Sequence, residues 1–522
     1  MRQPYLVGID FGACNLKVSA YAHGRPLNIK LNKQASHNAA TPNLIFYKAK
    51  KETEGVDTLI GDIARREWRF HPEETANVID DIKRKLERPQ WSQYVPSLDR
   101  DVTASEAAQD VFAFLYRTVQ GHLDDPHQPM ESIVTVPVCF SAMQRHRIRA
   151  AAERAGWNVR AIRTEPFAAL FSENIWDELL EEEEQLVVIC DFGGSTLDLS
   201  LLRIENEDGL VAVEELASYG LHYGGRDIDE SLYRDVICKK YAEDIAAVTD
   251  PQLSIVLEAR LREVVTQLKE RICQDEEDED EETVVLPDST SNDVVMTMDE
   301  IVHVLEDAHL KERMEAAVDE LLCQADETKE HVTRVEAFGG TCRIPYVLKV
   351  LDGIFDCFDS ADVDVAEDDT MYFPVARGAA AYLKILHGDT NLEIDIKDRM
   401  PFDIGFVHDG TFESCMHRGL SVGDWSKNKR VTWRDIDAWG GKIPLYQHIY
   451  GDMGDESSEI YVGSINVDRT KYEDDEQVLL QLKECADDTI VARLRELRGQ
   501  EDTRHLETVD ELPVQIGDEG DA

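Results

Sequence analysis

The chain is short of positive charge, of long apolar runs and of paired cysteines, and each shortage removes a class of function. Lys and Arg number 55 against 105 Asp and Glu over 522 residues, a formal charge of −50. A polyanion repels nucleic acid and anionic membrane alike, so neither is expected as a partner. No stretch approaches the roughly 20 apolar residues of a membrane span. The first residues, MRQPYLVGID, enter a strand at once with no signal peptide, and the expected location is the cytoplasm. Ten cysteines, at positions 14, 139, 190, 238, 273, 323, 342, 357, 415 and 485, include no C-x-x-C pair, and the histidines lack metal-ligand spacing. Buried free thiols in a reducing compartment account for this better than disulfides or zinc.

Part of the acidity is local, in DELLEEEEQ (177–185), DEEDEDEE (275–282) and the segment from Asp510 to Ala522. Blocks of this kind are normally solvated loops and tails. The rest is spread over the chain and fits either a salt-adapted surface or an acidic partner-binding one. Hydrophobic residues make up 43%, enough for a mostly globular chain of two to four domains.

What is present begins with a duplication. LVGIDFGACNLKVSAY (6–21) and LVVICDFGGSTLDLSLL (186–202) each read as an apolar strand ending in Asp-Phe-Gly, a turn of small residues and a second strand. Such a turn places backbone N–H groups and a carboxylate at one point. Glycine lets the backbone approach a phosphate, and the carboxylate can hold a hydrated Mg²⁺. Two facing hairpins would clamp a nucleotide triphosphate from both sides.

Periodicity predicts strands over 5–10, 16–22, 43–47, 133–136, 186–191, 197–204, 211–217 and 334–338. Helices are predicted over 104–121, 143–155, 227–242, 253–273, 298–325 and 374–386. This alternation implies an α/β architecture, the duplication implies two similar lobes, and the ligand is expected between them. Residues 1–387 form that nucleotide-binding unit. Residues 388–400 are polar, with alternating Leu392, Ile394 and Ile396, and read as a linker with some strand propensity. Over 401–497 the short alternating runs FDIGFVH, RVTWRDI, LYQHIYG, EIYVGSINV, VLLQLKE and TIVARLREL predict a small antiparallel β-sandwich. The acidic remainder, 498–522, is expected to be disordered.

Three further segments complete a pattern: residues 134–171 with Thr164-Glu165-Pro166, HYGGRDIDESLYRDVI (222–237), and VEAFGGTCRIPYVLKVLDGIF (335–355). Together the five resemble the heat-shock protein 70 (DnaK-type) chaperones of the actin-like ATPase superfamily. The resemblance runs from residue 5 to about 387 and, more weakly, over 401–497. It implies a two-lobed actin-like ATPase domain followed by a β-sandwich that binds polypeptide.

Position by position, the resemblance implies that Asp10, Glu165 and Asp191 hold the waters of a Mg²⁺ on the β- and γ-phosphates. Asp191 would also orient the attacking water, with Glu165 assisting, and Asp198 falls at an acidic family position. Lys83 matches the lysine that positions that water and neutralises γ-phosphate charge. Gly12, Ala13 and Cys14 match the first phosphate loop; Gly193, Gly194, Ser195 and Thr196 match the second. Gly224 and Gly225 match a phosphate contact, and Lys269, Gly339, Gly340, Thr341 and Arg343 the adenosine side. Pro137 and Arg145 match positions that relay nucleotide state between domains. Phosphoryl transfer of this kind requires positioning and charge neutralisation more than covalent chemistry.

The departures are specific. Ala13-Cys14 replaces two threonines whose hydroxyls face the phosphates, which should weaken ATP or ion binding and slow hydrolysis. Lys17 is unlike these chaperones but resembles a lysine that actin and related ATPases aim at the phosphates, and it would supply the missing positive charge. Lys269 has Thr266 and Glu270 beside it, the linker is polar, and no helical lid follows the β-domain. The implied cofactors are ATP or ADP with Mg²⁺. The partners are polypeptide clients or one dedicated protein, with co-chaperones. The leading expectation is an ATP-dependent chaperone coupling slow hydrolysis to peptide binding. The alternatives are an actin-like regulatory or assembly ATPase and a hydrolysis-impaired nucleotide-binding scaffold.

Overall fold

A computed structural model describes residues 4–516 except 23–24, 32–40, 51–54, 89, 124, 126, 181, 208–209, 276–278, 286–290, 359–372, 389–392, 450–457, 473–475, 486–487 and 499–504. Two sheets of matching construction form the lobes. In the first, Tyr5–Phe11 lies parallel to Met130–Val136 and antiparallel to Asn15–Ala22, with Asn158–Thr164 and Arg25–Asn28 at the two ends. In the second, Glu184–Phe192 lies parallel to Arg334–Phe338 and antiparallel to Leu197–Glu207, followed by Leu210–Leu221. The central strands are buried on both faces, which is why they read as unbroken apolar runs.

The helix Ala104–Gln120 starts at a Thr103 capping box and buries Phe112 against Phe11, the rings stacked at 4.8 Å. Pro374–Leu386 crosses Tyr5–Phe11 and Asn15–Ala22 and also packs on Glu165–Leu170. Glycine makes this closeness possible. A Cβ on Gly8 would run into the Ala376 carbonyl, and one on Gly378 into the Ala168 carbonyl.

A β-sandwich follows. One antiparallel sheet has the order Thr411–Met416, Asp403–His408, Lys442–Ile449, Ser458–Asn466, Gln515–Ile516, and the other Lys429–Thr432, Gln477–Glu484, Ile490–Arg498, His505–Pro513. Ile404, Leu445, Val462, Leu480 and Leu494 fill the space between them.

Five expectations change. Residues 505–516, expected to be disordered, pair as strands: Leu512 and Val514 reach the sandwich core, while Asp510 meets Lys471 at 2.7 Å and Glu511 meets Arg493 at 3.2 Å. The 499–504 and 517–522 parts of that tail lie outside the described residues. Within the expected linker, Glu393–Lys397 adds a parallel strand to Leu210–Leu221, with Ile394 and Ile396 packed on the second-lobe core. Residues 389–392 of the linker lie outside the description. RVTWRDI is a strand only to Thr432; Thr432 then caps the helix Trp433–Ala438. The helix expected over 298–325 breaks at left-handed His309 into Met298–Asp307 and Leu310–Ala325. Of the acidic block 275–282, residues 276–278 are outside the description, and Glu279–Val285 pairs with Ser291–Thr297, held by Arg271 on Glu282 at 3.0 Å.

The β-domain is docked on the first lobe through charge. Arg163 meets Asp398 at 3.1 Å and Asp488 at 3.0 Å, Arg149 also bonds Asp488, and Ile162 N–H donates to Asp488 at 2.6 Å. Ala142 N–H donates to Gln447 at 2.7 Å, and Arg145 lies 5.5 Å from the Phe402 ring. Glu484 is buried on this interface; burial first, then the charge of Asp488, pushes its carboxyl up to about 8. Across from it, burial and then Asp398 push Glu215 up to about 8.

Both carboxyls hold protons more tightly in the folded chain than at their ordinary 4.5. Their contribution to the packing of this interface is therefore complete at the low end of that range and is lost as pH rises through the interval from 4.5 to about 8. Small-angle X-ray scattering of the full chain should show a larger radius of gyration at about pH 9 than at about pH 6, and Glu484→Gln should remove much of the difference. Identical radii at both pH values would defeat this account of the interface.

Candidate functional site

In each hairpin the register decides what faces the acidic residue at the end of the first strand. Asp10 pairs with Lys17 across the first hairpin, and Asp191 with Asp198 across the second. Opposite charges attract across a strand pair and like charges repel. Lys17 Nζ accordingly donates to Asp10 at 2.7 Å. Asp191 has no such partner across its hairpin: burial, then the charges of Glu165 and Asp198, push it well above the ordinary carboxylate range. Asp198 is pushed up to about 7 by burial and Glu165, while its Oδ1 accepts from Val138 N–H at 2.6 Å.

Lys83 comes from the short helix Ile82–Lys85, which follows Asp81 in the left-handed region. Its ammonium is only 2% exposed, bonds Glu165 and sits 5.6 Å over the Phe140 ring. Glu165 opens the helix Glu165–Leu170 directly after the strand Asn158–Thr164. Burial lowers both ammoniums, but the carboxylates hold Lys83 and Lys17 above their ordinary range.

Four carboxyls, Asp10, Glu165, Asp191 and Asp198, share the centre with only two ammoniums, Lys17 and Lys83, so two of them are left to protons or to a cation. Asp198 Oδ2 is buried without a hydrogen bond. That donor set fits a hydrated divalent cation such as Mg²⁺. Among the described residues only His71, Glu73 and Glu74 bring three ligand atoms within 4.8 Å of one another.

The loops close over this centre. Asn43 braces the first: its N–H donates to Cys14 O and its side-chain amide to Gly12 O, both at 2.8 Å. Cys14 Sγ lies so close to Gly194 that a Cβ there would overlap it. In the second loop Gly193 N–H donates to Thr196 O at 2.9 Å, and Gly225 N–H donates to Gly193 O at 3.1 Å. A Cβ on Gly224 would lie 2.5 Å from Ser195 N. Thr341 Oγ1 donates to Gly193 O at 2.7 Å, tying the Gly339–Arg343 turn to the same knot.

Lys269, expected on the adenosine side, does not reach the carboxylate centre. It spans Asp229 at 2.6 Å and Gly225 O at 3.1 Å, and Arg343 is buried near Glu270 and Cys273. Two bridging arginines carry no role in the sequence reading. Arg84 joins the lobes through Asp227 at 3.1 Å and Ser195 O at 3.0 Å. Arg226 extends from the second lobe to Ala13-Cys14. Their only sequence signal is adjacency, to Lys83 and to the Gly224-Gly225 pair.

The Hsp70 protein family matches residues 6–423. The chain is 26% identical over 441 residues to a protein named "Chaperone protein DnaK" from Deinococcus deserti, covering 80% of this chain and 65% of that one. The "Chaperone protein DnaK" of Deinococcus radiodurans matches with the same identity and coverage. The chain thus spans 65% of the length of these curated relatives.

Removing one member of the buried Lys83–Glu165 pair strands the other. Lys83→Met should destabilise the protein by about 3–5 kcal/mol. Lys83→Met combined with Glu165→Gln should recover most of that in urea denaturation. Equal losses in the single and double variants would show that the pair contributes nothing as a pair.

Proposed function

The chain belongs to the Hsp70 family, and on that premise we propose that it is an ATP-binding chaperone coupling slow nucleotide hydrolysis to the capture of extended polypeptide. The observation that carries the reading is the buried centre of Asp10, Lys17, Glu165, Lys83, Asp191 and Asp198 between two glycine loops. Backbone N–H groups, ammoniums and carboxylates converging there suit a triphosphate, whose transfer needs charge neutralisation and alignment. Bound Mg²⁺, held through water by Asp10, Glu165 and Asp191, would supply further neutralisation of phosphate charge. Lys83 would orient the nucleophilic water, and Glu165 or Asp191 would hold its proton. The β-sandwich would take a polypeptide segment by main-chain hydrogen bonds and apolar pockets.

One observation favours a second reading, a hydrolysis-impaired scaffold. Lys83 and Lys17 are tied to Glu165 and Asp10, and Ala13-Cys14 offers no hydroxyl to a phosphate.

Steady-state ATP hydrolysis with and without an extended apolar peptide tests both. Slow turnover stimulated by peptide and abolished by Lys83→Ala is the expected result; ATP binding without turnover would transfer the case to the scaffold. Lys17→Ala should reduce ATP affinity by about tenfold or more, as expected for loss of a charge-assisted contact. Lys85→Ala, whose ammonium bonds Asp80 at 3.0 Å, should have little effect. Equal losses would remove Lys17 from the phosphate site.

A further inference from the structure

Arg226 is anchored in one lobe and spends its side chain on the other. Its backbone N–H donates to Gly194 O at 2.8 Å, which fixes its Cα on the second phosphate loop. From there Nε lies 3.3 Å from Cys14 Sγ and Nη2 3.5 Å from Ala13 O. Nη1 is 3.5 Å from Asp80 and 3.7 Å from Asp81. The guanidinium thus stands over the two residues of the first loop that carry no hydroxyl.

Its contacts to oxygen are long, at 3.5 and 3.7 Å, while the 3.3 Å contact to sulfur is of ordinary length. Charge-assisted N–H···O bonds run at about 2.7–2.9 Å, and the neighbouring Arg84 makes shorter ones, down to 2.5 Å on Asp227. Arg226 is therefore positioned between the loops without being committed to a tight carboxylate partner. A planar fork of donors in that position matches a phosphate oxygen pair.

Resting on the nucleotide-binding reading, we infer that Arg226 is a phosphate-binding residue, delivered by the second lobe onto the terminal phosphates of the nucleotide. Lys17 stands on the strand that follows the same loop, paired to Asp10, so the first hairpin carries one cation of its own and receives a second from the other lobe. Asp80 and Asp81, with Lys85 bonded to Asp80, hold the guanidinium near the cleft mouth.

The competing account is a strap that closes the lobes without touching the ligand. A ladder of ATP, ADP and AMP separates the two by isothermal titration calorimetry on the full chain. Arg226→Ala should weaken ATP and ADP by about tenfold or more while leaving AMP unchanged. Arg226→Lys should restore part of the loss. Arg234→Ala is the control: that arginine is exposed and paired to adjacent Asp235 at 2.6 Å, and its loss should change nothing. Arg226→Gln, which keeps a polar side chain, serves if the alanine variant does not fold. Equal weakening of all three nucleotides, or no weakening, overturns the inference while leaving nucleotide binding intact. A wild-type chain that binds none of the three overturns the nucleotide reading and this inference together.

Discussion

Asp10, Glu165, Asp191 and Asp198 leave water together, and the rest of the architecture depends on making that tolerable. Each desolvated carboxylate is destabilising by several kcal/mol unless a cation, a donor or a proton meets it. Three different solutions are in use. Asp10 takes the cross-strand ammonium of Lys17, and Glu165 takes Lys83 from a distant short helix. Asp191 and Asp198 retain protons more tightly than ordinary carboxylates. A fold that assembled this centre only for stability would replace the carboxylates with apolar groups. Their retention alongside two glycine-rich loops is what a site for a highly charged ligand requires.

The two hairpins differ in one decisive position. Asp-Phe-Gly is followed at the same spacing by Lys17 in the first and Asp198 in the second, and both face the leading aspartate. One lobe thus presents a neutralised pair and the other a repelling one. The asymmetry concentrates proton and cation affinity on the second lobe. The first loop, whose aspartate already has Lys17, receives a second cation, Arg226, from the other lobe.

The strand–helix alternation, both lobes and the sandwich are legible in the sequence because they rest on local apolar periodicity. The hairpin chemistry is equally legible, since Asp10, Lys17, Asp191 and Asp198 lie at matching spacings. Edge pairing is not. Glu393–Lys397 and His505–Pro513 sit in polar or acidic stretches, and they become strands only because Leu210–Leu221 and Ile490–Arg498 offer open edges. The burial of Lys83 is hidden too: Lys83-Arg84-Lys85 has the composition of a solvated face. Its three side chains go instead to Glu165, Asp227 and Asp80. Nothing in Gly224-Gly225-Arg226 indicates that the arginine crosses between lobes, because that depends on how the two sheets face each other.

The carboxylate centre and the β-domain interface share a single segment, residues 137–149. Val138 N–H binds Asp198, and Phe140 N–H closes the turn on Pro137 O at 3.2 Å. The Phe140 ring lies beneath Lys83, while its carbonyl accepts from Arg145 Nε at 3.3 Å. Arg145 in turn lies against Phe402, and Arg149 bonds Asp488. An ionised Asp198 is a stronger acceptor for Val138 N–H than a protonated one. Its carboxyl is pushed up to about 7, so both forms are accessible near neutrality. Contiguous contacts alone do not make two sites communicate; each end must also have more than one state. Here one end carries Asp198, its carboxyl pushed up to about 7, and the other Glu484, pushed up to about 8, so the segment joins two groups that each change protonation near neutrality.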